Sequence, residues 1–599
     1  QANKQSAIKM WKTVGSILNP SKVMKHSNIT KLLIDNIELN SDSDISTAFN
    51  NFFCTIGEKL ANKIPDKESF MKHMGPKLQQ SIYLTPITEN ELTKEIKLLN
   101  PNKSPGQDNI SSKLLLSCYQ NIITPLVHIL NHSIQTATYP SQMKLAKVLA
   151  LYKKKERHYP ENYRPISLLS CLDKIYEKLL YKRFINFLNK YQILILQQYG
   201  FLKDHSTTLA LISHIDKIKE YLDKGEYVLG IYLDLKKAFD TVDPHILLCK
   251  LEHYGFRGHV LNLIKSYFEG RKQYTVVNNT ASCIREINIG VPQGSVLGPL
   301  FFLLYINDIV RCLKDEDATL FADDTSTLMH NKDLNILKIK GEHCLFNLNE
   351  WLLANKLTLS QEKTVFMIYH SQRKTIGKEY DQLSAGNICI KRVSNVCYLG
   401  MTIDECLKWD LHVQSLCNCL TKYFNIFYNI RSIVPTNLKR LLYFAFVHSK
   451  ISYGIELYGS CRSTLLSRIQ VMQNKLLKVL YHKHPRTNTD TLHHELKLLK
   501  VQDIFNLSLL KFVYKVQNNE IIRQFHNYFH PRHTIHSHNT RNRNQIITQR
   551  PKTSFGVTMI ANQAANLWNP KVTAEDKVRS IHVFKRVMKS KLMQRHNRE

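Results

Sequence analysis

Asp234 and the pair Asp323-Asp324 are the residues best suited to chemistry. Asp234 closes an apolar run, Tyr227 to Leu233. The pair sits in a tight Ala322-Asp323-Asp324-Thr325 turn between two more runs, Ala318 to Phe321 and Ser326 to Met329. A strand ending in one aspartate, beside a hairpin carrying two, brings three carboxylates to one edge of a sheet. Carboxylate oxygens are the hard ligands that magnesium takes. Two such ions about 4 Å apart clamp the attacking and leaving oxygens of a phosphoryl displacement. The pattern therefore fits nucleotidyl transfer. Aspartates are also common in ordinary turns, so the neighbours of the pair must carry the argument.

The elements that would position these residues are readable around them. Tyr227 to Leu233 has the continuous apolar pattern of a buried strand. Asp243 caps a helix that has Pro244 at its first position and Gly255 past its end. Lys272 to Val277 and Arg285 to Ile289 read as two strands joined by a polar turn. Gly290 to Pro299 is a glycine- and proline-punctuated loop opening a helix to Val310. Val148 to Tyr152 is a short strand running into Lys153-Lys154-Lys155-Glu156-Arg157. Upstream, Ile45 to Ile64 has helical spacing, Pro65 to Gln80 reads as a linker, Lys103 to Asp108 as a loop, and helices follow to about Thr138. Past Leu420 the chain reads mostly helical. The order strand, helix, hairpin, helix is α+β.

Several strings resemble the motifs of non-LTR reverse transcriptases, in that family's order. Ile231-Tyr232-Leu233-Asp234-Leu235-Lys236-Lys237-Ala238-Phe239-Asp240 resembles the first catalytic motif. Gly290-Val291-Pro292-Gln293-Gly294-Ser295 resembles the second, and Phe321-Ala322-Asp323-Asp324 the third. Asn162-Tyr163-Arg164-Pro165-Ile166-Ser167, and Gln198-Tyr199-Gly200-Phe201 with Ser206-Thr207-Thr208, resemble the fingers motifs. Asn355-Lys356-Leu357 with Lys363-Thr364, then Tyr398-Leu399-Gly400, resemble the later palm and primer-grip motifs. The likeness covers roughly Lys103 to Asp410. The flanks resemble jockey-like elements more loosely. Gln107 and Asn109 depart from the family's usual proline and glycine, and Lys203-Asp204-His205 replaces a more basic run.

The resemblance implies a right-hand polymerase with a helical N-terminal extension and a basic, mostly helical C-terminal domain. The divisions expected are 1–80 extension and linker, 81–225 fingers (fingers motifs 148–210), 226–405 catalytic palm, 406–480 thumb and 481–599 basic domain. The reverse transcriptase region overall is about 145–405. By resemblance, Asp234 and Asp323 would ligate two Mg²⁺ ions, with Mn²⁺ able to substitute. Asp324 lies nearby, and Leu235 joins the metal set. Lys153, Arg164, Phe239, Gln293 and Gly294 would hold the nucleotide, Lys363 would protonate pyrophosphate, and Leu399-Gly400 would grip the primer. The implied partners are an RNA template, a DNA primer or target, and dNTPs. Endonuclease activity is expected from a separate or missing N-terminal domain, because no endonuclease motif is visible. The implied location is the nucleus, with a cytoplasmic ribonucleoprotein phase.

Composition agrees with this class. The formal charge is +33, and 43% of the 599 residues are hydrophobic. This is a folded chain, long enough for several domains, with a polyanionic partner. From Val471 to Glu599, Lys and Arg outnumber Asp and Glu by about three to one. The 13 cysteines form no CxxC pair, so they read as reduced thiols. Val296 to Ile306, the most apolar run, is too short to span a bilayer. His526, His530, His533, His536 and His538 lack ligand spacing and read as a polar loop. Trp351 with Leu348 and Leu352 reads as a helix core stripe. Two rival readings stand beside the first: an RNA-dependent RNA polymerase, and a catalytically decayed nucleic-acid-binding relic. Phe239 and the alanine of Ala-Asp-Asp argue against the RNA polymerase, whose usual residues are an acid and a glycine. The intact aspartates argue against the relic.

Overall fold

The computed structural model describes residues 29–64, 69–313, 316–532, 545–548, 550–573, 576 and 580–595. His533, His536 and His538 lie outside them.

Among the described residues, β1 (Leu32–Ile34) and β2 (Ile37–Leu39) form a hairpin leading into α1 (Asp42–Ala61). The helix starts where the Ser41 hydroxyl accepts from Asp44 N, satisfying an otherwise orphaned donor. Then come α2 (Glu89–Lys97), α3 (Ser112–Thr136), β3 (Leu145–Tyr152), β4 (Tyr163–Leu168), α4 (Cys171–Lys190), α5 (Thr207–Asp223) and β5 (Tyr227–Leu233). Next are α6 (Pro244–His253), α7 (His259–Phe268), β6 (Lys272–Val277), β7 (Thr280–Ala281), β8 (Arg285–Glu286) and α8 (Leu297–Tyr305). β9 (Asp317–Phe321), β10 (Asp324–Asn331), α9 (Leu334–Ala354), β11 (Val365–Tyr369), β12 (Gln382–Ala385), β13 (Ile388–Arg392), β14 (Asn395–Tyr398) and β15 (Met401–Asp404) follow. From Asp410 onward the described elements are helices.

The central sheet has six strands in the order β12-β13-β11-β5-β10-β9. β5 lies inside it, antiparallel to both β10 and β11. Its side chains alternate between two cores, as a period of two requires. Leu229, Ile231 and Leu233 meet Leu345 and Leu348 of α9. Val228 and Tyr232 meet Ile212 and Ile215 of α5. With both faces covered, β5 has no polar face, which explains its unbroken apolar run. A second sheet has the order β4-β3-β6-β7, with β8 also paired to β6. Phe49 and Phe53 of α1 pack on this sheet against Val148, Tyr163 and Val277.

Several expected boundaries shift, three of them near the aspartates or the loop facing them. The anticipated strand Arg285 to Ile289 shrinks to Arg285–Glu286. Between β7 and β8 the Ser282 hydroxyl accepts from Thr275 N, and Asn50 of α1 takes the Cys283 carbonyl. Past Glu286 the backbone leaves the ladder for other partners, Gly290 N donating to the Val242 carbonyl and Val291 N to the Phe239 carbonyl. The helix expected to reach Val310 ends at Tyr305, because the next residues serve other partners. Asn307 bonds the backbone of Ile193 and Ile195, and the Asp308 carboxylate pairs with buried Lys250 at 2.5 Å and accepts from Trp351 Nε1 at 3.1 Å. The aspartate turn is tighter than expected: Phe321 pairs with Asp324, leaving Ala322 and Asp323 as a two-residue turn.

The C-terminal helices share a core with one face of β5. Helix α5 fastens them through polar groups. Asp216 accepts from Ile560 N and from the Tyr528 hydroxyl, Asp223 accepts from Lys552 N and Thr553 N, and Lys219 donates to the Thr558 carbonyl. With 51% of residues helical and 14% in strands, the fold is α+β. No described helix is long and apolar enough to cross a membrane.

Candidate active site

The register of β5 and β10 sets the site. Thr325 opposes Leu233, so Asp234 leaves the end of β5 beside the turn that carries Asp323. Ala322 has φ +58 in that turn. The Gln198 side-chain oxygen accepts from Ala322 N at 3.0 Å and from Gly200 N at 2.7 Å, while Tyr199 N donates to the Leu320 carbonyl at 2.7 Å. The Gln198-Tyr199-Gly200 segment thus holds the turn from outside the sheet. The loop before β11 holds the other side. Thr364 Oγ1 accepts from Asp234 N, and Ser360 N donates to the Asp234 carbonyl at 2.8 Å. Lys363 in that loop reaches Asp234 Oδ2 at 3.0 Å.

Asp234 and Asp323 line an open pocket of about 660 Å³. Leu235, Lys153, Arg164, Phe239, Gln293, Gly294 and Lys363 line it with them. Leu235 faces Leu359 in an isolated antiparallel bridge whose bonds are made by Asp234, Lys236, Thr358 and Ser360. In such a pair the residue's own carbonyl points away from its opposite number. Arg164 opposes Leu151 at the end of the β3–β4 hairpin, which brings Lys153 and Arg164 to the same wall. Burial and the neighbouring Arg164 and Lys363 charges push the Lys153 ammonium below its ordinary range. Phe239 is half-buried, stacked on Phe302 at 4.7 Å and edge-on to Phe201 at 5.9 Å. Gly294 has φ +130, and a β-carbon there would lie 2.5 Å from the Ser167 carbonyl oxygen, so no other residue fits without moving β4.

Asp324 begins β10, keeps a solvent-exposed face and does not line the pocket. Leu399 and Gly400 also lie outside the pocket lining. They form the β14–β15 turn, both with positive φ, and the Tyr453 hydroxyl holds the Leu399 carbonyl.

Residues 152–403 match the family model described as reverse transcriptase (RNA-dependent DNA polymerase). The probable RNA-directed DNA polymerase from transposon BS of Drosophila melanogaster is 30% identical over 71% of this chain and 48% of its own length. The RNA-directed DNA polymerase from mobile element jockey of the same organism is 26% identical, over 71% and 47%. Residues 152–403 thus carry a reverse transcriptase domain similar to those of non-LTR retrotransposons. The chain spans about half the length of the curated relatives it matches.

Reverse transcriptases generally use divalent metal ions, and the donors present fit such an ion. Burial and the Asp234 charge raise the Asp323 carboxyl above its ordinary range. Surrounding protein, together with the Asp323 and Asp234 charges, pushes Asp324 up to about 6. Like charges crowded in this way favour a cation between them. Among the described residues no three His, Cys, Asp or Glu converge into a self-sufficient metal cage. Magnesium does not need one, since it takes one or two carboxylates and completes its shell with water and substrate phosphate.

Some residues at this site were not assigned roles from sequence. Lys237, with φ +50, turns its ammonium inward to the Glu161 and Tyr163 carbonyls and over the Phe52 ring at 5.4 Å. Its signal was only its place in the first motif. Asp240, three residues on, receives a 2.7 Å hydrogen bond from Gln293 Nε2. Burial raises its carboxyl, with Gln293 and Lys237 acting the other way. Phe52, Ile56 and Leu60 of α1 complete one pocket wall, and no local pattern announces that docking.

Proposed function

We propose that this chain is an RNA-directed DNA polymerase that copies retrotransposon RNA into DNA, primed at a nicked target. The six-stranded sheet is read as the palm, the β3–β4 region as fingers and the helices after Asp410 as thumb and basic C-terminal domain. The single observation carrying the reading is the convergence of Asp234 and Asp323, from neighbouring strands in fixed register, with Lys153, Arg164, Lys237 and Lys363 around one pocket. Two carboxylates flanked by four cations suit a metal-chelated triphosphate.

Asp234 and Asp323 would hold two Mg²⁺, with the Leu235 carbonyl beside them. Bound there, the ions supply charge neutralisation at the attacking and leaving oxygens. The protein's own part is placement. Arg164 and Lys153 receive phosphate oxygens, Phe239 faces the sugar, and Gln293 and Gly294 floor the pocket. Lys363 sits 3.0 Å from Asp234 and would move from it to the departing pyrophosphate as general acid. Leu399-Gly400 would carry the primer strand, and the basic surface the RNA. The work would be nuclear, after a cytoplasmic ribonucleoprotein phase, with nicking supplied by a separate or preceding endonuclease.

The test is primer extension on an RNA template with dNTPs and Mg²⁺. Asp323→Asn should abolish extension while RNA affinity stays within about twofold, because it removes a ligand charge and no nucleic-acid contact. Extension by this variant at the wild-type rate would overturn the site, and a wild type that binds RNA without extending would favour the decayed relic.

A further inference from the structure

We propose that Asp240 is a positioning residue for the nucleotide pocket, fixing the Gln293 carboxamide so that its oxygen rather than its nitrogen is offered to the incoming nucleotide. The inference rests on the polymerase reading above.

Three observations carry it. Asp240 is partly exposed as a residue, but its carboxylate turns inward: its one side-chain hydrogen bond among the described residues is the 2.7 Å contact from Gln293 Nε2, and its other oxygen, Oδ2, is enclosed and has no partner. A buried carboxylate is costly, and this one is not spent on capping a helix or joining strands. Gln293 is already fixed at its backbone, where its carbonyl accepts from Ser167 N at 2.8 Å. Only its side-chain torsions remain free, and Asp240 holds them. Gln293 also bridges two spaces. It lines the nucleotide pocket, and it lines a small cavity of about 40 Å³ together with Asp240 and Arg271.

The orientation follows from donor chemistry. A carboxylate accepts and cannot donate, whereas a carboxamide has one end of each kind. The Gln293 amino group must therefore face Asp240. Its oxygen is left as an acceptor on the pocket side, suited to a hydroxyl or N–H of the nucleotide. Without Asp240 the amide can rotate, and the pocket loses a fixed acceptor.

A partner swap tests this in steady-state extension by the full chain at varied dNTP. Gln293→Glu alone sets two carboxylates against each other and should raise the apparent KM for dNTP at least tenfold. Adding Asp240→Asn should bring it back to within about threefold of wild type. The amide introduced by Asp240→Asn then donates to the new carboxylate, whose second oxygen replaces the lost acceptor, and kcat should move less than KM throughout. Thermal melting of each protein separates this from packing, since a merely structural Asp240 would shift the melting temperature and give no rescue. A double variant no better than Gln293→Glu overturns the proposal. If the wild type does not extend at all, the polymerase reading fails. Calorimetric titration of dNTP into the same proteins then decides the Asp240 role, with rescue of affinity supporting it and no rescue overturning it.

Discussion

Replacing Phe239 by valine should open the pocket to ribonucleotides. Phe239 lies five residues past Asp234 and lines the pocket, so a nucleotide whose phosphates lie near Asp234 brings its sugar toward this ring. The ring is held rigid by the Phe302 stack at 4.7 Å and the Phe201 edge contact at 5.9 Å, so it cannot swing aside for a 2′-hydroxyl. Nor does it offer that hydroxyl a hydrogen bond. An unpaired buried hydroxyl alone costs about 1–3 kcal/mol. Removing the ring should return at least ~1.4 kcal/mol of this, a tenfold gain in rNTP over dNTP use. Losing the two ring contacts costs about 1–2 kcal/mol of stability, which a core of this size absorbs. The assay compares kcat/KM for a matched dNTP and rNTP on one primed RNA template, with melting temperature measured in parallel. Unchanged discrimination in a folded Phe239→Val protein would refute the sugar-gate role and leave Phe239 as a core residue of the α8 packing. Equal use of both nucleotides by the wild type would refute the DNA polymerase reading itself.

Three further outcomes are expected. In metal-free buffer, Asp324→Asn should be more stable than wild type at neutral pH by roughly 1 kcal/mol, a figure reduced for the exposed face of the residue. The wild-type carboxyl is raised from 3.8 to about 6, so its stabilising protonation is complete below about 3.8 and lost as pH rises through 6; an advantage of the variant that persisted at pH 3.5 would contradict this. Asp308→Ala should cost about 3–5 kcal/mol in denaturant unfolding, because it strands the Lys250 ammonium, 0% exposed, without its 2.5 Å partner; a loss under 1 kcal/mol would show that Lys250 finds another partner. Lys475→Gln with Lys483→Gln, both exposed on a groove without acidic residues, should flatten the slope of log RNA affinity against log salt by about two, if each neutralises one phosphate; an unchanged slope would place RNA elsewhere.

Where order along the chain and order in space coincide, the sequence was readable. β5 runs from Tyr227 to Leu233 as its apolar run indicates, and Asp243 caps the helix opened by Pro244. Trp351, Leu348 and Leu352 are all buried in one core. What could not be read depends on contacts between distant segments. Gly290 N reaches back to the Val242 carbonyl and Val291 N to the Phe239 carbonyl, and a strand ends early there. Gly57 packs against the Asp240 carbonyl, which sets an apparently peripheral helix against the pocket wall. The charge excess after Val471 describes a surface and conceals the other side of the same helices, which bury Leu476, Phe505 and Val513 in a core shared with β5. Removing that region would therefore strip apolar cover from the sheet that carries Asp234, and a loss of RNA binding on deletion would mix lost charge with lost fold. Single lysine substitutions keep the two effects apart, since they change the charge of a face without touching the apolar contacts beneath it.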